Sequence, residues 1–189
     1  MKRMTVILLA TMMLAATAAR GQANFDFREI EGDWQGTLEY LDYTTEKRVE
    51  LKTYLSVKAS PDGLSARVET VYDDFGKIIK TVSTVRFDSA AAKYFDGDSE
   101  YRVESAAPGR LVLTGRALDG EKIEPVRRTL TFTADSLVFL KETRDPWRFR
   151  NRLALRRAEK AVPAPRAAFS TGASGGAFSA NLRWVSFVG

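Results

Sequence analysis

Carboxylates are the side chains in this sequence grouped most nearly as chemistry would need them. Asp96, Asp98 and Glu100 alternate along Asp96-Gly97-Asp98-Ser99-Glu100, which is how a calcium loop begins. The later bidentate glutamate and correctly placed glycine of such a loop are missing. Asp-Gly between two strand-like runs is also an ordinary hairpin turn that needs no metal. Asp73-Asp74 and Glu121 with Glu124 offer paired carboxylates for acid–base work, yet both pairs lie beside turns, where solvated acids are routine. The sequence contains no His and no Cys. Zinc enzymes, His-ligated haem, and Ser–His or Cys–His hydrolases are thereby excluded, as are disulfides and thiolate nucleophiles. No catalytic constellation, cofactor or metal site is expected.

The basic residues form a second pattern. Arg148, Arg150, Arg152 and Arg156 occupy alternate positions, so a strand would carry them on one outer face. Such a stripe suits an acidic partner or lipid headgroup, or else lies against acids on a neighbouring strand. Charge is segregated along the chain. Residues 24–126 carry 14 basic and 20 acidic side chains, and residues 127–160 carry 10 basic and 4 acidic. The formal charge of +5 falls to +2 once Lys2, Arg3 and Arg20 are set aside.

Those three belong to a segment with the parts of a secretory signal. Lys2 and Arg3 precede a largely apolar run from Met4 to Ala19, followed by the small residues Ala18, Ala19, Gly21 and Ala23. The run is short for a membrane span. Residues 1–23 are therefore expected to be a signal peptide cleaved after Ala23, or after Ala19, placing the protein in the periplasm or outside the cell. No lipoprotein anchor and no nucleic-acid partner are expected. Residues 159–189 form a Pro-, Ala-, Gly- and Ser-rich tail. Within it Asn181 to Val188 is strand-like, and reads either as a loose end or as a segment that docks on the barrel or a partner.

Between these lies a long succession of period-two runs. Phe27 and Ile30 share one side of a short helical turn, an apolar plug. Trp34, Gly36, Leu38 and Tyr40 then share a face. The later inward sets are Val49, Leu51, Thr53, Leu55 and Val57; Leu64, Ala66, Val68, Thr70 and Tyr72; and Ile79, Thr81, Ser83, Val85 and Phe87. Leu111, Leu113, Gly115 and Ala117 follow, then Val126, Arg128, Leu130 and Phe132, then Trp147, Phe149, Asn151, Leu153, Leu155 and Arg157. Turn signals separate them, among them Ser60-Pro61-Asp62-Gly63, Pro108-Gly109 and Asp119-Gly120. Short connections and many strands imply an all-β fold, a single up-and-down antiparallel meander barrel of about 8–10 strands over residues 24–158.

Gly32-Asp33-Trp34, placed after that helical turn, resembles the opening of the calycin barrels: lipocalins, fatty-acid-binding proteins and relatives such as the nitrobindins. The chain also resembles small exported bacterial proteins of this barrel type. The resemblance covers about Phe25 to Arg157 and implies barrel closure by a basic side chain of the last strand stacked on Trp34. Arg157 is the match, with Arg156 second. Three departures matter. Lipocalins have eight strands; the haem-ligating His of the nitrobindins is absent here; and the Arg-x-Tyr of fatty-acid-binding proteins is replaced by Arg-x-Arg.

The expected function is ligand carriage. The inward polar residues Tyr40, Thr53, Thr70, Tyr72, Arg128 and Asn151 suit a small hydrophobic or amphiphilic molecule with one polar or anionic end, with Arg128 as its anchor. Otherwise Arg128 pairs with an internal acid such as Glu142, because a buried charge needs a partner, or it faces water on the opposite strand phase. A filled barrel would make the protein an envelope interaction module.

Overall fold

Alternation of inward and outward side chains decides the architecture. A computed structural model describes residues 24–119, 121–143 and 147–159. The signal segment expected over residues 1–23 and nearly all of the expected tail lie outside the described residues. Ten antiparallel strands run up and down in sequence order: β1 (Gly32–Leu41), β2 (Arg48–Ala59), β3 (Ser65–Asp74), β4 (Lys77–Asp88), β5 (Lys93–Asp96), β6 (Ser99–Ala107), β7 (Arg110–Asp119), β8 (Lys122–Phe132), β9 (Ser136–Thr143) and β10 (Arg148–Arg157). Each pairs with its neighbours in sequence, and β1 pairs with β10 to close the barrel. A 3-10 turn, Phe27–Ile30, precedes β1, capped by Asp26, which accepts from the Arg28 amide at 2.8 Å.

That turn plugs one end. Phe25, Phe27 and Ile30 are buried. Phe25 packs edge-on against Phe27, Phe87 and Phe132 at 4.9, 5.8 and 5.8 Å. Trp34 Nε1 donates to the Ile30 carbonyl at 3.0 Å. Opposite Trp34 in the β1–β10 register is Arg157, whose guanidinium lies 4.3 Å from the indole centroid. Its Nε donates to the Ala134 carbonyl at 2.7 Å and its Nη1 to the Glu31 carbonyl at 2.9 Å. One side chain thus ties together the plug, the β8–β9 turn and the β1–β10 seam. Gly32 makes room for it: its φ is +131°, and a Cβ there would meet Arg157 Nη1. Gly36 also sits on the seam, where a Cβ would strike the backbone of Ala154 and Leu155. Arg156, the second candidate, is exposed on the outer face beside Gln35.

Three expectations are corrected. Leu64 is 43% exposed in the β2–β3 turn rather than inward. In β10 a bulge between Phe149 and Asn151 shifts the register, so Phe149 pairs with Glu142 while Asn151 pairs with Lys141. Phe149 and Trp147 therefore leave the inward set, and outer-face guanidiniums stack on them: Arg48 on Phe149 and Arg127 on Trp147, both at 4.9 Å. The same bulge breaks the arginine row. Arg152 and Arg156 remain exposed on the outer face, Arg148 falls in register with the buried Thr143 at the rim, and Arg150 is withdrawn from solvent.

The wall is uneven. The β5–β6 hairpin is short, and β4 meets β5 only over Val85–Asp88. Above its Asp96–Ser99 tip, among the described residues, no strand lies between the upper parts of β4 and β7. Arg157→Met should lower stability by about 2 kcal/mol or more through loss of the stack and two charged hydrogen bonds. Arg157→Lys should recover only part of that, because Lys lacks the planar fork. Urea unfolding followed by tryptophan fluorescence measures both, and a neutral Arg157→Met would contradict this account of closure.

Candidate functional site

Register places the interior side chains in transverse rows. Leu111, Leu130, Phe139, Leu153 and Leu38 are successive cross-strand neighbours on β7, β8, β9, β10 and β1. One step nearer the open end the row reads Leu113, Arg128, Lys141, Asn151 and Tyr40. An apolar belt therefore lies beneath a belt of polar and cationic groups. The bulge in β10 is what brings Asn151 level with Lys141.

A cavity opens between the two belts. It is bounded by Leu38, Leu111, Leu130, Phe139 and Leu153 and by Arg128, Lys141 and Asn151, and offers about 60 Å³ to the centres of water molecules. One water needs roughly 10–15 Å³ on that measure, so the space holds several waters or a small organic group.

The charged groups here reach over intervening strands. Arg128 on β8 donates to Asp96 Oδ2 on β5 at 2.7 Å and lies 4.4 Å from the Tyr101 ring centroid. Lys141 on β9 donates to Asp119 Oδ1, at the end of β7, at 3.0 Å. Tyr43, from the β1–β2 loop, donates to the same oxygen at 2.9 Å. Arg150 Nε lies 3.2 Å from it, and the Arg150 guanidinium is 3.5 Å from the Tyr43 ring centroid. Asp119 is thus a hub that closes part of the mouth over β7, β9 and β10.

Burial governs the ionisation of these groups. It pushes Asp96 up to about 7, although Arg128 pulls the other way. Lys141 is lowered to about 8, first by burial and further by Arg128 and Arg150, with Asp119 opposing. Burial also disfavours the Arg128 charge, and Tyr101 and Asp96 more than offset that. Several buried polar atoms have no hydrogen-bond partner among the described residues: Asn151 Nδ2, Asp96 Oδ1, Tyr101 OH, and Arg150 Nε and Nη2. Of these residues, Asn151 lines the cavity.

All six residues expected in the interior lie on inward phases, but they do not form one site. Thr70, Arg128 and Asn151 line the cavity. Thr53 is spent locally, its hydroxyl donating to the Leu51 carbonyl at 3.2 Å. Tyr40 and Tyr72 do not line the cavity, and burial, then Asp74, raises Tyr72 to about 12. Arg128 pairs with Asp96, and Glu142 instead holds Arg127, with Nε 2.8 Å from Oε2. The Asp96-Gly97-Asp98-Ser99-Glu100 acids are separated by their hairpin: Asp96 is fully buried, while Glu100 meets Lys93 at 2.8 Å. Among the described residues no group of acids is placed to hold a metal. Lys141, Asp96 and Asp119 were not legible as interior groups. The alternation Leu137, Phe139, Lys141 was the available signal for the first of them.

Fold and interior together define a ten-stranded closed up-and-down β-barrel, a form consistent with the calycin barrels. No protein-family model matches the chain, and no curated protein matches it.

Because Asp96 titrates higher folded than unfolded, its ionised form is the one the fold disfavours. Its contribution to stability should therefore decline as pH rises from about 4 to about 7. Asp96→Asn alone would strand the buried Arg128, so the informative variant is Asp96→Asn with Arg128→Met. Urea unfolding across that pH range should show the decline in the parent and a flatter profile in the double variant. Equal slopes would contradict the assignment.

Proposed function

We propose that the barrel carries one small amphiphilic molecule, its apolar body against the Leu111–Leu38 belt and its polar or anionic end at Arg128, Lys141 and Asn151. The observation that carries this reading is the cavity between the two belts, into whose polar side Asn151 brings an unpartnered amide nitrogen. Leaving such a group dry costs about 1–3 kcal/mol, which a ligand acceptor or water would recover. Charge supports an anionic end. Arg128, Lys141 and Arg150 face two carboxylates, Asp96 and Asp119, one positive charge in excess among these groups. Arg128 is thereby a shared anchor, already engaged by Asp96, and Lys141 with Asn151 becomes the principal contact. A lipocalin-like carrier, exported under the direction of residues 1–23, is the fuller form of this reading.

The rival, an interaction module with a filled barrel, has Arg152 and Arg156 on the outer face in its favour. They would meet an acidic partner or headgroup layer.

A cavity-filling variant separates the two. Leu153→Phe should weaken binding of anilinonaphthalene sulfonate by more than about tenfold at unchanged far-ultraviolet dichroism. Lys141→Met should weaken it less. Fluorophore binding that survives Leu153→Phe would place the ligand elsewhere and remove the proposal.

A further inference from the structure

The open end of the barrel carries a feature that ligand carriage does not require. Large apolar side chains are exposed beside four of its five strand connections, the short β5–β6 hairpin being the exception. Tyr43 lies between β1 and β2, Phe75 between β3 and β4, Ile123 at the start of β8 and Trp147 just before β10, with Ile78 next to Phe75. Of the other two exposed large apolar residues among those described, Leu64 is at the closed end and Val82 is on β4.

Phe75 is the most telling. It is 83% exposed, and its φ is +51°. With Gly76 at +91° it forms the centre of a two-residue hairpin turn. That turn favours Asn, Asp or Gly at both positions, and a bulky side chain there is strained. The residue weakens its own turn and gains almost no contact among the described residues, so its use lies outside the barrel.

We infer that the rim of the open end is a docking surface for a lipid bilayer, with Phe75 and Ile123 entering the interfacial layer and Tyr43 and Trp147, each stacked by an arginine, at its edge. Two features favour a bilayer over a protein. The exposed apolar surface is divided among separate tips, which a fluid layer receives without matching hollows. Tyr and Trp suit the membrane–water boundary.

Charge around the tips is balanced. Asp74 and Lys77 flank Phe75, and Lys122 and Glu124 flank Ile123. Association should therefore be driven by apolar insertion and need no acidic lipid. The docked mouth would face the bilayer, so an amphiphile could pass between membrane and cavity without crossing free water. The docking surface itself does not depend on the cavity.

Vesicle co-sedimentation tests it, with the protein purified from its own host and neutral phosphatidylcholine vesicles. The parent should bind, and added salt should leave binding nearly unchanged. Phe75→Asn with Ile123→Thr should lower partitioning by more than about tenfold. Asn suits the left-handed turn and Thr suits a strand, so the variant's melting temperature should hold or rise. Four results would overturn the inference: no binding by the parent; binding only to acidic vesicles and stripped by salt; a variant that binds as well as the parent; or a variant with a lowered melting temperature, which would make Phe75 a structural residue. A parent dimer that the double substitution dissolves would also overturn it, in favour of a second copy on the rim. Vesicle binding without fluorophore binding would uphold the docking surface and remove the cavity proposal alone.

Discussion

A sheet of ten strands has two edges, and the pairing of β1 with β10 removes both. The rest of the structure depends on that seam. It brings Trp34 opposite Arg157, gives Arg157 the carbonyls of Ala134 and Glu31, and needs Gly36 where the two backbones press together. The 3-10 turn completes the arrangement by placing the Ile30 carbonyl on the indole and filling the end with Phe25 and Phe27. One end of the barrel is consequently dry and knit by aromatic and charge-assisted contacts, and whatever chemistry the interior performs must lie toward the other.

Closure also decides which inward residues meet. Curvature of the wall brings together inward residues of strands that do not pair, so Arg128 on β8 reaches Asp96 on β5, past β7 and β6, and Lys141 on β9 reaches Asp119 at the end of β7, past β8. Both cations stand in the row just above the apolar belt. The interior is thus graded, from aromatic at the plug, through aliphatic, to charged beneath the mouth. That gradient follows from strand phase and register, without any special loop, and it is the physical basis for reading the interior as an amphiphile's site.

Much of this was legible in the sequence because a strand's period is two and turns are marked. Trp34, Leu38, Thr70, Val126, Arg128, Leu130 and Leu153 all fall on the faces their alternation implies, and Arg157 stacks on Trp34 as the family resemblance implied. What was not legible was set by tertiary closure. Nothing local marks the β10 bulge, which has no Gly or Pro, yet it reverses the phase of Phe149 and takes Arg150 out of a row with Arg152. Asp96 looked like a turn carboxylate because Asp-Gly-Asp does make the turn, at Gly97 and Asp98. Its own side chain is the last inward one of β5, and only the curvature of the wall puts Arg128 within reach. Glu142, nearer in sequence, lies on the outer phase, with Arg127.

On this reading the graded interior holds one small amphiphile. Native mass spectrometry of the protein purified from its own host tests this most directly. A bound species of one small-molecule mass, lost when Leu153 is replaced by Phe, is the predicted result. A spectrum of unliganded protein, together with no uptake of any added apolar anion, would contradict it.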